Sequence, residues 1–196
     1  MHYAFPLGFY RAALNVGISG GVIFPWGQGY LDKPSSLPDR FFMGGNTSPV
    51  CSLGGGPSSL LGFSSRGLGP SELRRQTRDK LDGDSSAASE RDAVGGDVAV
   101  SAFADLSFDL PLRVFREAGI HGHVFASAGT LTKLTENERQ RFCLKTFFQS
   151  FRASIGCGVI VPTSLFRMEV NFCHVVRQFG HDNGKTGLQF IFSAPL

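Results

Sequence analysis

The feature that most constrains the fold is a two-residue alternation between apolar and polar side chains near the end of the sequence. Between residues 165 and 175 an apolar set alternates with a polar set: Phe166, Met168, Val170 and Phe172 against Arg167, Glu169 and Asn171. Because successive side chains of a strand point to opposite faces, this segment is predicted to be a strand with one apolar and one charged face. The apolar face of such a sheet must be covered by the core of a soluble protein or by lipid. Which of the two covers it decides the class of function.

Composition and charge exclude several classes. The sequence has no run of about 18 apolar residues, so a transmembrane helix is not expected. A transmembrane β-barrel stays open, since its strands need only about 9–11 residues and half of these face a polar lumen. The formal charge of +3 is small and the basic residues are mixed with acidic ones, so nucleic-acid binding is not expected. The four cysteines show neither C-x-x-C nor zinc spacing, and no metal site is predicted from them.

The alternation predicts about six antiparallel strands, joined by connections that are alternately long and short. The predicted strands cover 11–24, 96–110, 120–129, 152–161, 165–175 and 186–193, and the longest connection is 25–95. Long loops at one rim and short turns at the other are typical of an up-and-down outer-membrane barrel. Within the long connection, 71–92 is mostly charged and is predicted to be disordered. A capping box at Thr135 and Glu138 predicts one short helix that ends near Phe148.

Two sets of residues carry a family resemblance. The long connection contains Phe41-Phe42-Met43-Gly44-Gly45, Leu60-Leu61-Gly62-Phe63 and, after Arg66, Gly67-Leu68-Gly69-Pro70; the last strand matches polar-x-Gly-x-x-hydrophobic-x-hydrophobic through Lys185, Gly187, Phe190 and Phe192. Together they resemble the outer-membrane assembly-factor superfamily, defined by the bacterial surface antigen domain. Within that superfamily the chain is most similar to the barrel subunit of the mitochondrial sorting and assembly machinery, in a plant-like version. The resemblance covers roughly residues 9–195 and corresponds to the C-terminal portion of the family.

The resemblance implies an all-β fold: residues 1–196 as the C-terminal part of a transmembrane up-and-down β-barrel. In it 25–95 is a long Gly-rich loop that folds into the lumen, and the family's N-terminal soluble domain is expected to be absent. It also implies two sets of site residues. The lumenal loop motif comprises Phe42, Gly44, Gly45, Leu61, Gly62, Phe63, Arg66, Gly69 and Pro70, and the strand signal comprises Lys185, Gly187, Phe190 and Phe192. Family members carry arginine at the position of Leu61, so Leu61 is a departure and Arg66 is the substitute cation to consider.

The function implied is insertion and assembly of β-barrel proteins in the mitochondrial outer membrane. The implied partners are the lipid bilayer, other subunits of the machinery and β-barrel precursors, with no cofactor. We expect no enzymatic activity, because Gly62–Arg66 lacks the fifth glycine of a G-x-S-x-G elbow. His121 and His123 share a strand face, but a metal site needs three or four convergent ligands, so lumenal histidines are the favoured interpretation.

Two alternatives stay open at the level of sequence. The first is a related barrel of the chloroplast outer envelope that acts in protein import or assembly. The second is a soluble ligand-binding β-barrel, which requires apolar faces inside and charged faces in water. About six strands is fewer than the eight of the smallest single-chain barrels. We therefore expect a truncated barrel that has no insertase activity by itself.

Overall fold

The computed structural model describes residues 1–9, 11–24, 35–45, 60–73, 91–133 and 144–193. Its main element is one antiparallel sheet of seven strands in the order β1-β2-β5-β6-β7-β8-β9. The strands are β1 (His2–Leu7), β2 (Ala12–Val22), β5 (Val98–Asp109), β6 (His121–Thr132), β7 (Arg152–Pro162), β8 (Arg167–Arg177) and β9 (Gly187–Ser193). A separate two-stranded ribbon pairs β3 (Ser71–Leu73) with β4 (Arg91–Ala93).

The sheet confirms the predicted all-β, antiparallel fold and adds one strand to the predicted six. The additional strand is β1, which pairs with β2 in a register that places Tyr3 opposite Val16. Within the described residues the sheet is not closed, since β1 and β9 are its two edges. The backbone groups on the outer side of these edge strands are therefore open to pairing with a further strand.

The two faces of the sheet differ in chemistry, and the polar one is covered. Segments 41–45 and 60–73 pack against one face, here called the inner face, where Ser154 and Asn171 are fully buried and Glu169 is 8% exposed. The opposite, outer face carries exposed large apolar side chains. They include Tyr3, Phe5, Ile18, Val124, Ile155, Phe172, Leu188, Phe190 and Phe192.

This arrangement overturns the soluble-barrel alternative. That alternative required apolar side chains inside and charged side chains in water, whereas Glu169 lies on the covered face and Phe190 is 61% exposed on the other. Exposed rows of large apolar side chains are costly in water, because each buries its surface only when an apolar medium covers it. The outer face is therefore built for lipid.

Among the residues that the structure describes, three short helical elements lie in the connections. They are a 3₁₀ turn (Leu37–Asp39), α1 (Arg113–Glu117) and α2 (Leu144–Gln149). In the short link before β6, α1 ends at Glu117, and Gly119 follows with a φ of +71°, which suits the position just after a helix C-terminus. The helix predicted from Thr135 is present at its end as α2, while 134–143 lie outside the described residues. None of the helices described is long and apolar enough to cross a membrane.

The long connection 25–95 is described only in part. Its predicted disordered segment 71–92 begins and ends in the β3–β4 ribbon, where Glu72 pairs with Asp92 in the register. Lys133 also lies 3.3 Å from Glu72 through its ammonium nitrogen and a carboxylate oxygen. Residues 74–90 lie outside the described part of the chain, so the prediction for them stays a prediction.

Candidate functional site

The inward loop, defined here as residues 41–45 and 60–73, contains four of the ten buried apolar residues in the described part of the chain. They form one cluster on the inner face: Met43, Leu60, Phe63 and Leu68 of the loop with Ala99 of β5 and Leu131 of β6. Met43 is fully buried and Leu60 and Phe63 are each 1% exposed. This apolar cluster thus joins the loop to the wall, so removal of the loop would expose apolar side chains of both.

The paired glycines of the motif allow two parts of the loop to touch through their backbones. Gly44 has a φ of +124° and Gly45 of +63°, in a region that L-residues with side chains rarely adopt. A Cβ atom on Gly44 would lie 2.5 Å from the carbonyl oxygen of Ser64. Hydrogen bonds link Gly45 and Leu60 in both directions, at 3.0 and 3.2 Å.

We expect Gly44→Ala to loosen the inward loop. The added methyl group has no room against the Ser64 carbonyl, and the positive φ adds about 1–2 kcal/mol of strain. Limited proteolysis of the 196-residue chain in lipid nanodiscs should then cut near residues 60–73 faster than in the wild type. Gly8→Ala is the matched control, because nothing lies within 4 Å of a Cβ there. Equal cleavage of the two variants would contradict this interpretation.

The tip of the loop is bonded to the segment that leads into β9. The Lys185 amide donates to the Gly62 carbonyl at 2.7 Å, and the Gly62 amide donates to the side-chain oxygen of Gln189 at 3.2 Å. One step along, the Ser64 amide donates to the Asn183 carbonyl at 2.9 Å. The two predicted site sets, loop motif and strand signal, are thus in contact at Gly62 and Lys185.

A buried ion pair lies beside this junction. The Arg152 guanidinium donates to both carboxylate oxygens of Asp182, at 3.0 and 3.1 Å, with side-chain exposures of 4% and 0%. The same carboxylate accepts the Gly69 amide at 3.2 Å and the Phe179 amide at 2.7 Å. Neither Arg152 nor Asp182 was among the predicted site residues.

The predicted substitute cation lies elsewhere. Arg66 is exposed, and its guanidinium carbon lies 4.8 Å from the centre of the Phe42 ring, so it stacks on the loop itself. Leu61, at the family's arginine position, is held through its backbone: its carbonyl accepts the hydroxyl of Ser154 at 2.5 Å. The buried cation beneath the loop is Arg152, which belongs to β7.

The remaining predicted site residues lie in the inward loop and in β9. The Pro70 carbonyl accepts the Val94 amide at 3.0 Å, and Gly69 has a φ of +108° beside Leu131. Gly187 opens β9 with a φ of +144°. Phe190 and Phe192 point out of the sheet, with exposures of 61% and 56%. Their roles in function stay predictions.

Polar side chains on the inner face form a cross-strand network, of which only the lumenal histidines were predicted from the sequence. His123 is hydrogen-bonded to Asp105 at 2.9 Å through Nδ1 and to Asn171 at 2.7 Å through Nε2. Arg167 and Glu169, from the polar set of the predicted strand, form an ion pair of 3.1 Å. No group of three or more metal-ligating side chains occurs in the part of the chain that the structure describes.

The Omp85 superfamily domain model matches residues 1–194. The chain belongs to the Omp85 superfamily. It is similar to the sorting and assembly machinery component 50 homologs of Xenopus tropicalis, at 29% identity over 183 residues, and of Homo sapiens, at 29% over 186 residues. These alignments cover 91% and 92% of this chain but 32% and 33% of the relatives, so the chain spans about a third of their length.

Structure comparison gives the same fold. The crystal structure of BamA from Haemophilus ducreyi lacking POTRA domains 1–3 matches with a TM-score of 0.64 and 15% identity. The match covers 98% of this chain and 33% of that one. The sheet of this Omp85 chain is therefore similar to a part of a barrel wall, which agrees with its two open edges.

Proposed function

We propose that the chain is part of the β-barrel component that inserts and assembles β-barrel proteins in the mitochondrial outer membrane. The observation that carries the proposal is the pairing of an outer face built for lipid with an inward loop bonded to the last strand. The Omp85 family match and the sorting and assembly machinery relatives support it. The membrane is the mitochondrial outer membrane, and no feature of the described residues favours the chloroplast envelope over it.

The proposed mechanism is non-enzymatic and uses no cofactor. An edge strand with free amide and carbonyl groups pairs with an incoming strand by β-augmentation. β9 is such an edge, and its outer face is apolar at Leu188, Phe190 and Phe192. The partners are the bilayer, β-barrel precursors and further subunits of the machinery, and nucleic acid is not among them. The loop supports the strand from the lumen side.

The test replaces the matching third of a full-length sorting and assembly machinery relative with this chain. Mitochondria that carry only the chimera should assemble an imported, radiolabelled β-barrel precursor into a protease-resistant form. We expect the chimera to resist carbonate extraction and to support assembly, whereas the 196-residue chain alone does not catalyse insertion into liposomes. A chimera that is membrane-integrated and inactive would overturn the proposal. Insertion catalysed by the chain alone would contradict the expectation of a partial barrel.

A further inference from the structure

The Arg152–Asp182 pair joins three segments that are far apart in the sequence. Arg152 is the first residue of β7, Asp182 lies between β8 and β9, and the Gly69 amide that donates to Asp182 belongs to the inward loop. The guanidinium also donates to the Ser150 carbonyl at 3.0 Å and stacks on the Phe179 ring at 4.7 Å. Wall, loop and the approach to the last strand therefore meet at one carboxylate.

The pair is fully satisfied, which is what a buried charge requires. The two oxygens of Asp182 accept four hydrogen bonds, two from Arg152 and one each from the Gly69 and Phe179 amides. Buried ions are tolerated only when their partners and remaining lone pairs are supplied, and removal of one partner leaves the other uncompensated. Loss of the Asp182 charge would therefore release the loop and the β8–β9 connection together.

We infer that Arg152 and Asp182 are positioning residues that hold the inward loop and the strand β9 as one unit. The inference rests on the proposed function, because it states how the loop supports the edge at which precursor strands pair. The pair does not touch that edge. It acts through Gly69 and through the backbone bonds that join the loop to Asn183 and Lys185.

The first experiment measures amide hydrogen exchange on the 196-residue chain in lipid nanodiscs. Asp182→Asn keeps the shape and removes the charge, and we expect protection to fall at least about tenfold at the amides of Ser64, Gly69 and Lys185. The matched control is Glu169→Gln, which breaks an ion pair between residues two apart on the single strand β8. Because both residues of this pair lie on one strand, its loss does not release the loop, and exchange at the same amides should stay within about twofold of the wild type. Equal loss in both variants would overturn the inference.

The second experiment separates positioning from general stability. Phe63 and Gly184 form an antiparallel bridge, so Ser64 and Asn183 lie opposite each other at a separation that a disulfide can span. In the chimera, Asp182→Asn should reduce precursor assembly about tenfold or more. Adding Ser64→Cys and Asn183→Cys should restore assembly under oxidising conditions and lose it again on reduction. Ser64→Cys alone is the control for the native cysteines.

The outcomes distinguish the two claims. An inactive chimera with the wild-type sequence contradicts the proposed function, and the exchange experiment alone then tests the positioning role of Arg152 and Asp182. An active chimera that keeps full activity and exchange protection with Asp182→Asn overturns the positioning role. Loss of activity that the oxidised disulfide fails to restore also contradicts it. The disulfide holds the loop next to the segment before β9 without the ion pair, so it should restore an activity that depends only on their positions.

Discussion

Phe190→Arg is expected to release the chain from the membrane. Phe190 is the central residue of β9 and points out of the sheet with 61% of its surface exposed. An arginine on the lipid face near the bilayer midplane costs roughly 2–4 kcal/mol. The variant also loses the transfer of a phenyl ring into lipid, about 1.5–3 kcal/mol. Carbonate treatment of mitochondria that contain the tagged chimera should move the variant to the soluble fraction.

The neighbouring residue supplies the control. Ile191 lies on the inner face, opposite Glu169 in the register, so Ile191→Arg introduces the same side chain one position away toward a carboxylate. We expect this variant to resist carbonate like the wild type. Extraction of both variants to the same extent would mean that β9 does not present one face to lipid. Resistance of both would mean that its outer face is not in contact with the acyl chains.

The regular part of the fold was predictable because its signal is local. Alternation with a period of two appears in any strand that separates two environments, and the wall strands β5 to β9 all show it. β1, which lies outside the predicted six strands, contains Pro6, and proline donates no hydrogen bond within a sheet. Pro6 is accommodated here because β1 is an edge.

The candidate site was predictable only where the sequence restricts the backbone. Glycines at positive φ, such as Gly44 and Gly62, stand out because few other residues fit them. The Arg152–Asp182 pair did not stand out, since Asp182 lies in a polar stretch of sequence that is typical of a solvated loop. The Gly69–Asp182 contact joins residues 113 apart, and no local period reports on such a pair. The alternation also does not tell which face of the sheet is covered. Only the position of the loop shows that the polar face is inside and the apolar face outside.

Gly158→Ala is expected to destabilise the sheet from the inner face. Gly158 of β7 lies between His123 of β6 and Asn171 of β8, and their side chains hydrogen-bond across it at 2.7 Å. A Cβ atom at this position would lie 1.9 Å from the Asn171 side-chain oxygen and 2.6 Å from His123 Nε2. Both side chains must move, which breaks the hydrogen bond and leaves its buried groups unpaired. We expect a loss of about 2–4 kcal/mol in the free energy of unfolding.

The measurement is urea unfolding of the 196-residue chain in lipid nanodiscs, monitored through the far-ultraviolet circular dichroism signal of the β-sheet. Gly20→Ala is the control, since the nearest atoms to a Cβ there are at ordinary contact, 3.6 and 3.7 Å. The double variant Gly158→Ala/Asn171→Ala tests the cause, because the truncated side chain no longer meets the new methyl group. We expect the double variant to lose less stability than the sum of the two single changes. Strict additivity would show that the glycine is required for a reason other than the bond that crosses it.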